Sequence, residues 1–214
     1  MGTGFLVGER HVVTVSHNCY NKKNLDYPNA EEVYFIPDAH GKDFKEGRIK
    51  AAEVYCSEGY AKADRKDENE RRRNDYAVLV LEEKVKREQY LRIAPSEWSQ
   101  LGKAMDVMIC GFPSDKMENA PNKPTRFFLY EDKKEAKTDY CEGLMEYEIF
   151  TIGAMSGSPL LARDENGEHF VVGLHWGRMA DTTEKTGGCL LNKKAAFQIE
   201  QWLSLPLPPE KSQP

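Results

Sequence analysis

The sequence predicts an all-β protein, and three observations carry that prediction. The apolar residues fall in short runs, turn-forming residues bound each run, and no long helical period alternates with them. The runs are Phe5–Val7, Val12–Val13, Val33–Ile36, Tyr76–Leu81, Val107–Cys110, Phe127–Tyr130, Leu160–Leu161, Phe170–Leu174 and Cys189–Leu191. Each has strand length, is rich in β-branched or aromatic residues, and is flanked by Gly, Pro, Asn or Asp. Without intervening helices a βαβ design is disfavoured, which leaves a sandwich or a pair of barrels. A chain of 214 residues with 40% apolar content can bury the core that either needs.

The C-terminus is the exception. From Asn192 to Leu203 the residues Ala195, Ala196, Ile199, Trp202 and Leu203 fall on a helical stripe, which predicts one amphipathic α-helix packed outside a sheet. The Leu205-Pro-Leu-Pro-Pro209 run and the rest of 205–214 read as a disordered tail. Ala61–Arg73 mixes both charge signs densely and reads as a solvated loop. Gln89–Gly102, with Pro95-Ser-Glu-Trp98 at its centre, reads as the connection between an N-terminal unit, 1–94, and a C-terminal unit, 103–204.

Composition excludes several functions. Thirty Lys and Arg against thirty-five Asp and Glu give a net charge of -5, which supplies no field for capturing nucleic acid. No apolar stretch approaches the roughly 18 to 20 residues that span a bilayer, so no membrane partner is expected. Met1–Gly8 carries no basic region followed by a long apolar run, so the compartment is left open. Cys19, Cys56, Cys110, Cys141 and Cys189 are widely spaced and contain no Cys-x-x-Cys pair, so they form no zinc signature. Most read as buried thiols, with one bridge left open.

Three segments far apart in sequence carry chemistry. Gly2–Cys19 reads as a strand, a Gly turn, a second strand and then a turn opening on His17. Asn74–Leu81 places Asp75 immediately before an apolar strand, and Thr151–Leu161 holds Gly153-Ala-Met-Ser-Gly-Ser-Pro159. A serine hydroxyl is a poor nucleophile at neutral pH and needs an adjacent base, for which an imidazole has the appropriate pKa. The imidazole in turn needs a buried carboxylate on its other nitrogen. The order His17, Asp75, Ser156 satisfies that requirement. With Ala154 two residues before Ser156 the segment lacks a Gly-x-Ser-x-Gly elbow, which, with the all-β pattern, disfavours an α/β-hydrolase.

These segments resemble the chymotrypsin-like serine proteases. Within that superfamily the resemblance is to the glutamyl endopeptidases. Val107–Lys116 is similar to their Gly-Tyr-Pro-Gly-Asp-Lys segment, and Val171–Gly177 to their Val-Ile-Gly-Ile-His-Trp-Gly strand. The resemblance covers nearly the whole chain up to the C-terminal helix. It implies a trypsin-like fold of two six-stranded antiparallel β-barrels, the first lacking its first strand, followed by the α-helix. It also implies a serine endopeptidase with the triad His17, Asp75 and Ser156, an oxyanion hole made by the N–H groups of Ala154 and Ser156, and a pocket containing Thr151, His175 and Gly177.

An imidazole and a hydroxyl can both donate to a carboxylate, so cleavage after Glu, and less readily Asp, follows from the resemblance. Arg178 could add charge at the rim, though a solvated arginine is the plainer reading. Protein or peptide substrates, a monomer and no cofactor or metal are expected. The family has Gly where this chain has Ala154, and Met155 cannot pair with a new N-terminal amine as the aspartate of trypsin-type zymogens does. Ala154 and the absent first strand motivate a second reading, a protease-like scaffold without turnover.

Overall fold

The computed structural model describes residues 1–19, 32–42, 46–64, 66–95, 104–114, 128–139, 142–149, 151–178 and 186–210. The first half contains β1 (Phe5–Leu6), β2 (His11–Thr14), α1 (Ser16–Cys19), β3 (Tyr34–Phe35), β4 (Ile49–Cys56), α2 (Glu58–Lys62), α3 (Glu68–Arg73) and β5 (Ala77–Leu81). Its five strands form one antiparallel sheet in the order β1-β2-β5-β4-β3. Every residue of β5 is buried, as expected for an Ala-Val-Leu-Val-Leu strand with neighbours on both sides. Its register pairs Ala77 with Thr14 on one side and Cys56 on the other. The end of β2, the start of β5 and the end of β4 therefore share one edge of the sheet, and α1 starts there.

The second half contains β6 (Met105–Gly111), β7 (Tyr130–Asp139), β8 (Leu144–Tyr147), β9 (Pro159–Arg163), β10 (His169–Arg178) and β11 (Thr186–Leu190). These close into an antiparallel barrel in the order β10-β11-β8-β7-β6-β9. Val107, Ile109, Met145, Leu160, Val172 and Leu190 fill it, with no solvent exposure. Bulges on β10 at Val171/Gly173 and His175/Gly177 bend that strand. Of the two expected barrels, the second closes, whereas the first sheet stays open with five strands among the described residues.

Helix α4 (Lys193–Leu203) begins as the sequence predicts, with Asn192 Oδ1 accepting from the Ala195 N–H at 3.2 Å. Ala195, Ala196 and Ile199 are buried, and Trp202 stacks on Tyr55 with ring centroids 6.1 Å apart. The helix seals a core shared by the two halves, in which Val13, Tyr76 and Val78 meet Val171, Leu174 and Leu191. The chain beyond α4 has no regular structure up to Glu210, yet Arg10 Nη1 donates to Pro208 O at 2.7 Å and Arg10 Nε to Leu81 O at 2.7 Å. Residues 211–214 lie outside the described residues.

Three readings are corrected. The segment 61–73 is not wholly a solvated loop, because α3 occupies Glu68–Arg73, with Asp67 accepting from the Glu70 N–H at 2.8 Å. Arg72 on that helix is buried at 1% exposure, donates to Asn69 Oδ1 at 3.0 Å, and lies 3.9 Å from Glu146 on β8. Strands β4 and β8 were not anticipated, since their apolar runs are short or interrupted by Lys and Glu. Phe128 and Leu129 precede β7 rather than forming its core, and Phe127 lies outside the described residues. β7 itself is highly charged, with Ala136 facing the barrel interior. Cys19, Cys56, Cys110 and Cys189 are free thiols, of which Cys19 and Cys189 are buried; Cys141 lies outside the described residues.

Because Ile199 has no solvent exposure and sits where the two halves meet, Ile199→Ala is expected to destabilise the protein by about 2–5 kcal/mol in urea unfolding.

Candidate active site

The site is built on a carboxylate with no solvent exposure. Asp75 follows α3 in a turn closed by its own N–H donating to Arg72 O at 3.2 Å. A buried charge needs close partners, and residue His17 supplies two. The His17 backbone N–H donates to Asp75 Oδ1 at 3.0 Å, and His17 Nδ1 lies 2.5 Å from Oδ2. That contact assigns the proton to Nδ1 in the neutral ring and leaves Nε2 as the acceptor. The His17 side chain is 19% exposed, so it lines an open surface over a closed foundation.

Helix α1 is fixed from beneath. Ser16 Oγ donates to Tyr76 O at 2.7 Å and accepts from the Ser57 N–H at 3.3 Å, which joins α1 to the ends of β5 and β4. The ring of Trp176 meets that of His17 edge-on, with centroids 6.2 Å apart and planes at 74°.

Ser156 comes from the other half, in a tight turn before β9. Met155, 1% exposed, anchors this turn in the barrel core, and its carbonyl accepts from the Ser158 N–H at 2.9 Å and Ser158 Oγ at 2.7 Å. Gly157 adopts φ 89°, and a Cβ there would lie 2.2 Å from Thr3 O, so only glycine fits. The first half grips this turn directly. Ser156 O accepts from the Thr3 N–H at 2.8 Å and from Asn18 Nδ2 at 2.8 Å, while Thr3 Oγ1 donates to Ala154 O at 3.0 Å. Asn18 is the neighbour of His17, so one short segment bonds to both the carboxylate and the serine turn.

Ser156 Oγ donates to Trp176 O at 3.1 Å. Among the described residues it forms no hydrogen bond with His17. His17 is bonded to Asp75, the serine hydroxyl is turned toward the β10 backbone, and Trp176 and Asn18 connect the His17 and Ser156 segments.

Ala154 holds φ 73°, a left-handed conformation that costs a non-glycine residue about 1–2 kcal/mol. A backbone angle that favours glycine is therefore adopted with a Cβ present. Among the described residues, neither the Ala154 N–H nor the Ser156 N–H donates to a protein acceptor. On the far side of Ala154 lies a cavity of about 610 Å³, lined by residues of both halves including Phe35, His40, Arg48, Phe112 and Leu129.

Thr151 and His175, the expected pocket residues, are 3% and 1% exposed. Tyr147 Oη lies 2.6 Å from His175 Nδ1 and 3.2 Å from Gly187 O. Burial, with a smaller contribution from the nearby His17, lowers the His175 pKa to about 3, so the ring is neutral at ordinary pH. Burial also raises Tyr147 well above the ordinary phenol range, which keeps its proton in place. Two tautomers follow. If Tyr147 donates to Gly187 O, His175 donates from Nδ1; if Tyr147 donates to Nδ1, the ring proton sits on Nε2. Gly177 continues β10 beside this ring, half-buried at the bulge. The side chain of Arg178 lies outside the described residues. Among the described residues, no group of three or more His, Cys, Asp or Glu is placed to hold a metal ion.

Sequence reasoning missed Thr3, Asn18 and Tyr147. The first two sit inside the His17 segment, in Gly2-Thr-Gly4 and directly after His17, but nothing in their local pattern announces a bond to residues about 150 positions away. Tyr147 lies on β8, a strand that was itself not anticipated.

Comparison with known proteins agrees with this architecture. A model of the trypsin-like peptidase domain matches residues 2–174, and the chain belongs to that family of serine-protease fold. Among curated proteins none matches. Among solved structures the chain is similar to a Glu endopeptidase in complex with MPD, at 20% identity and TM-score 0.75, covering 95% of this chain and 86% of that one. It is also similar to the thermostable serine protease AL20 from an extremophilic microorganism, at 18% identity and TM-score 0.66, with 95% and 89% covered. A third, the protease Anisep from Arthrobacter nicotinovorans, has 14% identity and TM-score 0.59, with 91% and 89% covered. These likenesses are of fold.

Two outcomes follow from the geometry. Relief of the left-handed strain at residue 154 is partly offset by the greater unfolded-state freedom of glycine, so Ala154→Gly is expected to be neutral or stabilising by up to about 1 kcal/mol in urea unfolding. Ala154→Val, with a β-branched side chain at the same φ, is expected to be destabilising in the same measurement. The second outcome concerns pH. The unfolded His175 takes up a proton near pH 6.5, whereas the folded ring does so only near 3, so its contribution to stability declines as pH falls across that window. His175→Gln is therefore expected to show a flatter pH dependence of Tm between about 6.5 and 3 than the parent.

Proposed function

We propose that this chain is a serine endopeptidase that hydrolyses peptide bonds after Glu, and less readily Asp, through an acyl-enzyme on Ser156. The observation that carries the reading is the buried Asp75 carboxylate paired with a partly exposed His17, whose neighbour Asn18 bonds the carbonyl of Ser156. In the proposed cycle the Ser156 hydroxyl leaves Trp176 O, turns toward His17 Nε2 and attacks the scissile carbonyl carbon as Nε2 takes its proton. Such catalytic contacts often tighten only when substrate is bound. Asp75, hydrogen-bonded to Nδ1, stabilises the imidazolium.

The negative charge that develops on the carbonyl oxygen is met by the free N–H groups of Ala154 and Ser156. His17 then protonates the leaving amine, and a water molecule, deprotonated by the same nitrogen, hydrolyses the ester. The leaving side of the substrate would run into the cavity beyond Ala154, which is separate from the residues proposed to read the acyl side.

The acidic preference rests on Thr151 and His175, with Gly177 offering its backbone beside them. Among the described residues no protein group bonds His175 Nε2, so that nitrogen is available to a ligand carboxylate. A neutral imidazole donates from Nε2 when the Tyr147 hydroxyl, keeping its proton, donates a hydrogen bond to Nδ1 across the 2.6 Å contact. The similarity in fold to a Glu endopeptidase supports the same preference.

A fluorophosphonate probe is expected to label Ser156 and to lose that label in Ser156→Ala, whose turnover should fall about 10⁴-fold or more. In a peptide library, cuts after Glu should predominate and weaken about 10- to 100-fold in His175→Ala. Folded protein that resists the probe would favour a scaffold without turnover. Cutting after Lys, Arg or large apolar residues would remove the acidic preference alone.

A further inference from the structure

We propose that Cys19 and Cys56 form a modification site, at which a low-molecular-weight disulfide such as oxidised glutathione is reduced as the two thiols become an internal disulfide. Cys19 ends α1, the helix that carries His17, and Cys56 ends β4. The side chain of Cys56 packs against the same buried cluster that contains Cys19. That cluster includes Val12, Ala51, Ala77 and Leu79, and the Cys19 thiol also lies 3.9 Å from Val15 O. The backbone already ties their neighbours together, because the Ser57 N–H, next to Cys56, donates to Ser16 Oγ at the start of α1. A bridge here would follow a contact the fold already makes.

The order of events follows from exposure. Cys19 is buried, whereas Cys56 is half-buried, so a small reagent meets Cys56 first. Hydrogen bonding from Cys19, helped by Ser16, holds the Cys56 thiol below its ordinary pKa against its burial, which favours the attacking thiolate there. The Cys56 thiolate attacks one sulfur of the reagent, forming a mixed disulfide and releasing one thiolate, which takes up the Cys56 proton. Cys19 loses its proton and attacks the Cys56 sulfur, releasing the second reagent thiol. Two protein thiols are oxidised by two electrons, and one reagent disulfide is reduced to two thiols. Cys189 has different surroundings, with its thiol directed to Arg73 O at 3.4 Å.

The consequence concerns the buried carboxylate. Both thiols lie within electrostatic reach of Asp75, so ionisation of either would place a second negative charge beside it. The disulfide removes that option and fastens the His17 helix to β4. The inference does not depend on the peptidase reading.

The test treats the reduced full chain with oxidised glutathione and maps peptides without reduction. A linked peptide containing Cys19 and Cys56, lighter by two hydrogen atoms than the free pair, is expected, together with a raised Tm that reductant reverses. Cys19→Ala should stop at a glutathione adduct on Cys56, and Cys56→Ser should leave Cys19 unmodified. A stable adduct on Cys56 in the parent, bridging to Cys110, Cys141 or Cys189 instead, or no modification of the pair while a surface control thiol is oxidised, would each overturn the proposal. A linked peptide with a lowered Tm would overturn the claim that the pair is already positioned.

Discussion

A carboxylate sealed from water is unstable unless its charge is met, and meeting the charge of Asp75 organises the first half of this molecule. Both of its oxygens are held by one residue, through the backbone N–H and the imidazole of His17. That double contact places α1 over the start of β5, which Asp75 immediately precedes. Ser16 enforces the position by bonding across both neighbouring strand ends, and the buried β5 fixes where those ends fall. Removing one member of such a pair leaves a charge stranded in a low-dielectric interior, which is more damaging than never having buried it. The contact therefore constrains helix, strand register and ring orientation together.

The second half is joined to that foundation by few but specific bonds. Thr3 and Asn18 both donate to the carbonyl of Ser156, and Thr3 also holds the carbonyl of Ala154. The turn these bonds grip has Gly157 in left-handed space and Met155 sunk in the barrel core, so its position is determined from both sides. Helix α4 does the equivalent at larger scale, filling the seam with Ala195 and Ile199. The two sheets are held together because they share this core and because contacts from each end on the other.

How much of this was legible in the sequence depended on whether a feature was local. β5 was readable because a fully buried central strand is apolar throughout, and α4 because its stripe follows the helical period. β7 was not, since Tyr-Glu-Asp-Lys-Lys-Glu-Ala-Lys-Thr-Asp gains its strand from hydrogen bonds to β6 and β8 while facing water along most of its length. α3 lay hidden in a charge run whose only clue was Asp67 placed three residues before Glu70. The candidate site divided in the same way. His17, Asp75 and Ser156 announce themselves through their flanking strands and turns, whereas Thr3, Asn18 and Tyr147 act across long sequence separations.

Ala154 shows how a departure from pattern can be accommodated without changing the backbone. A left-handed alanine is unfavourable by an amount small against the cooperative stability of a domain, but it would not persist in a free loop. Here the carbonyl of Ala154 is held by Thr3, the next side chain is buried, and the carbonyl of Ser156 has two donors. The restraints act on the carbonyls, and among the described residues the N–H groups of residues 154 and 156 have no protein acceptor. The same contacts that grip the turn from the first half also overcome the preference of alanine for a right-handed backbone.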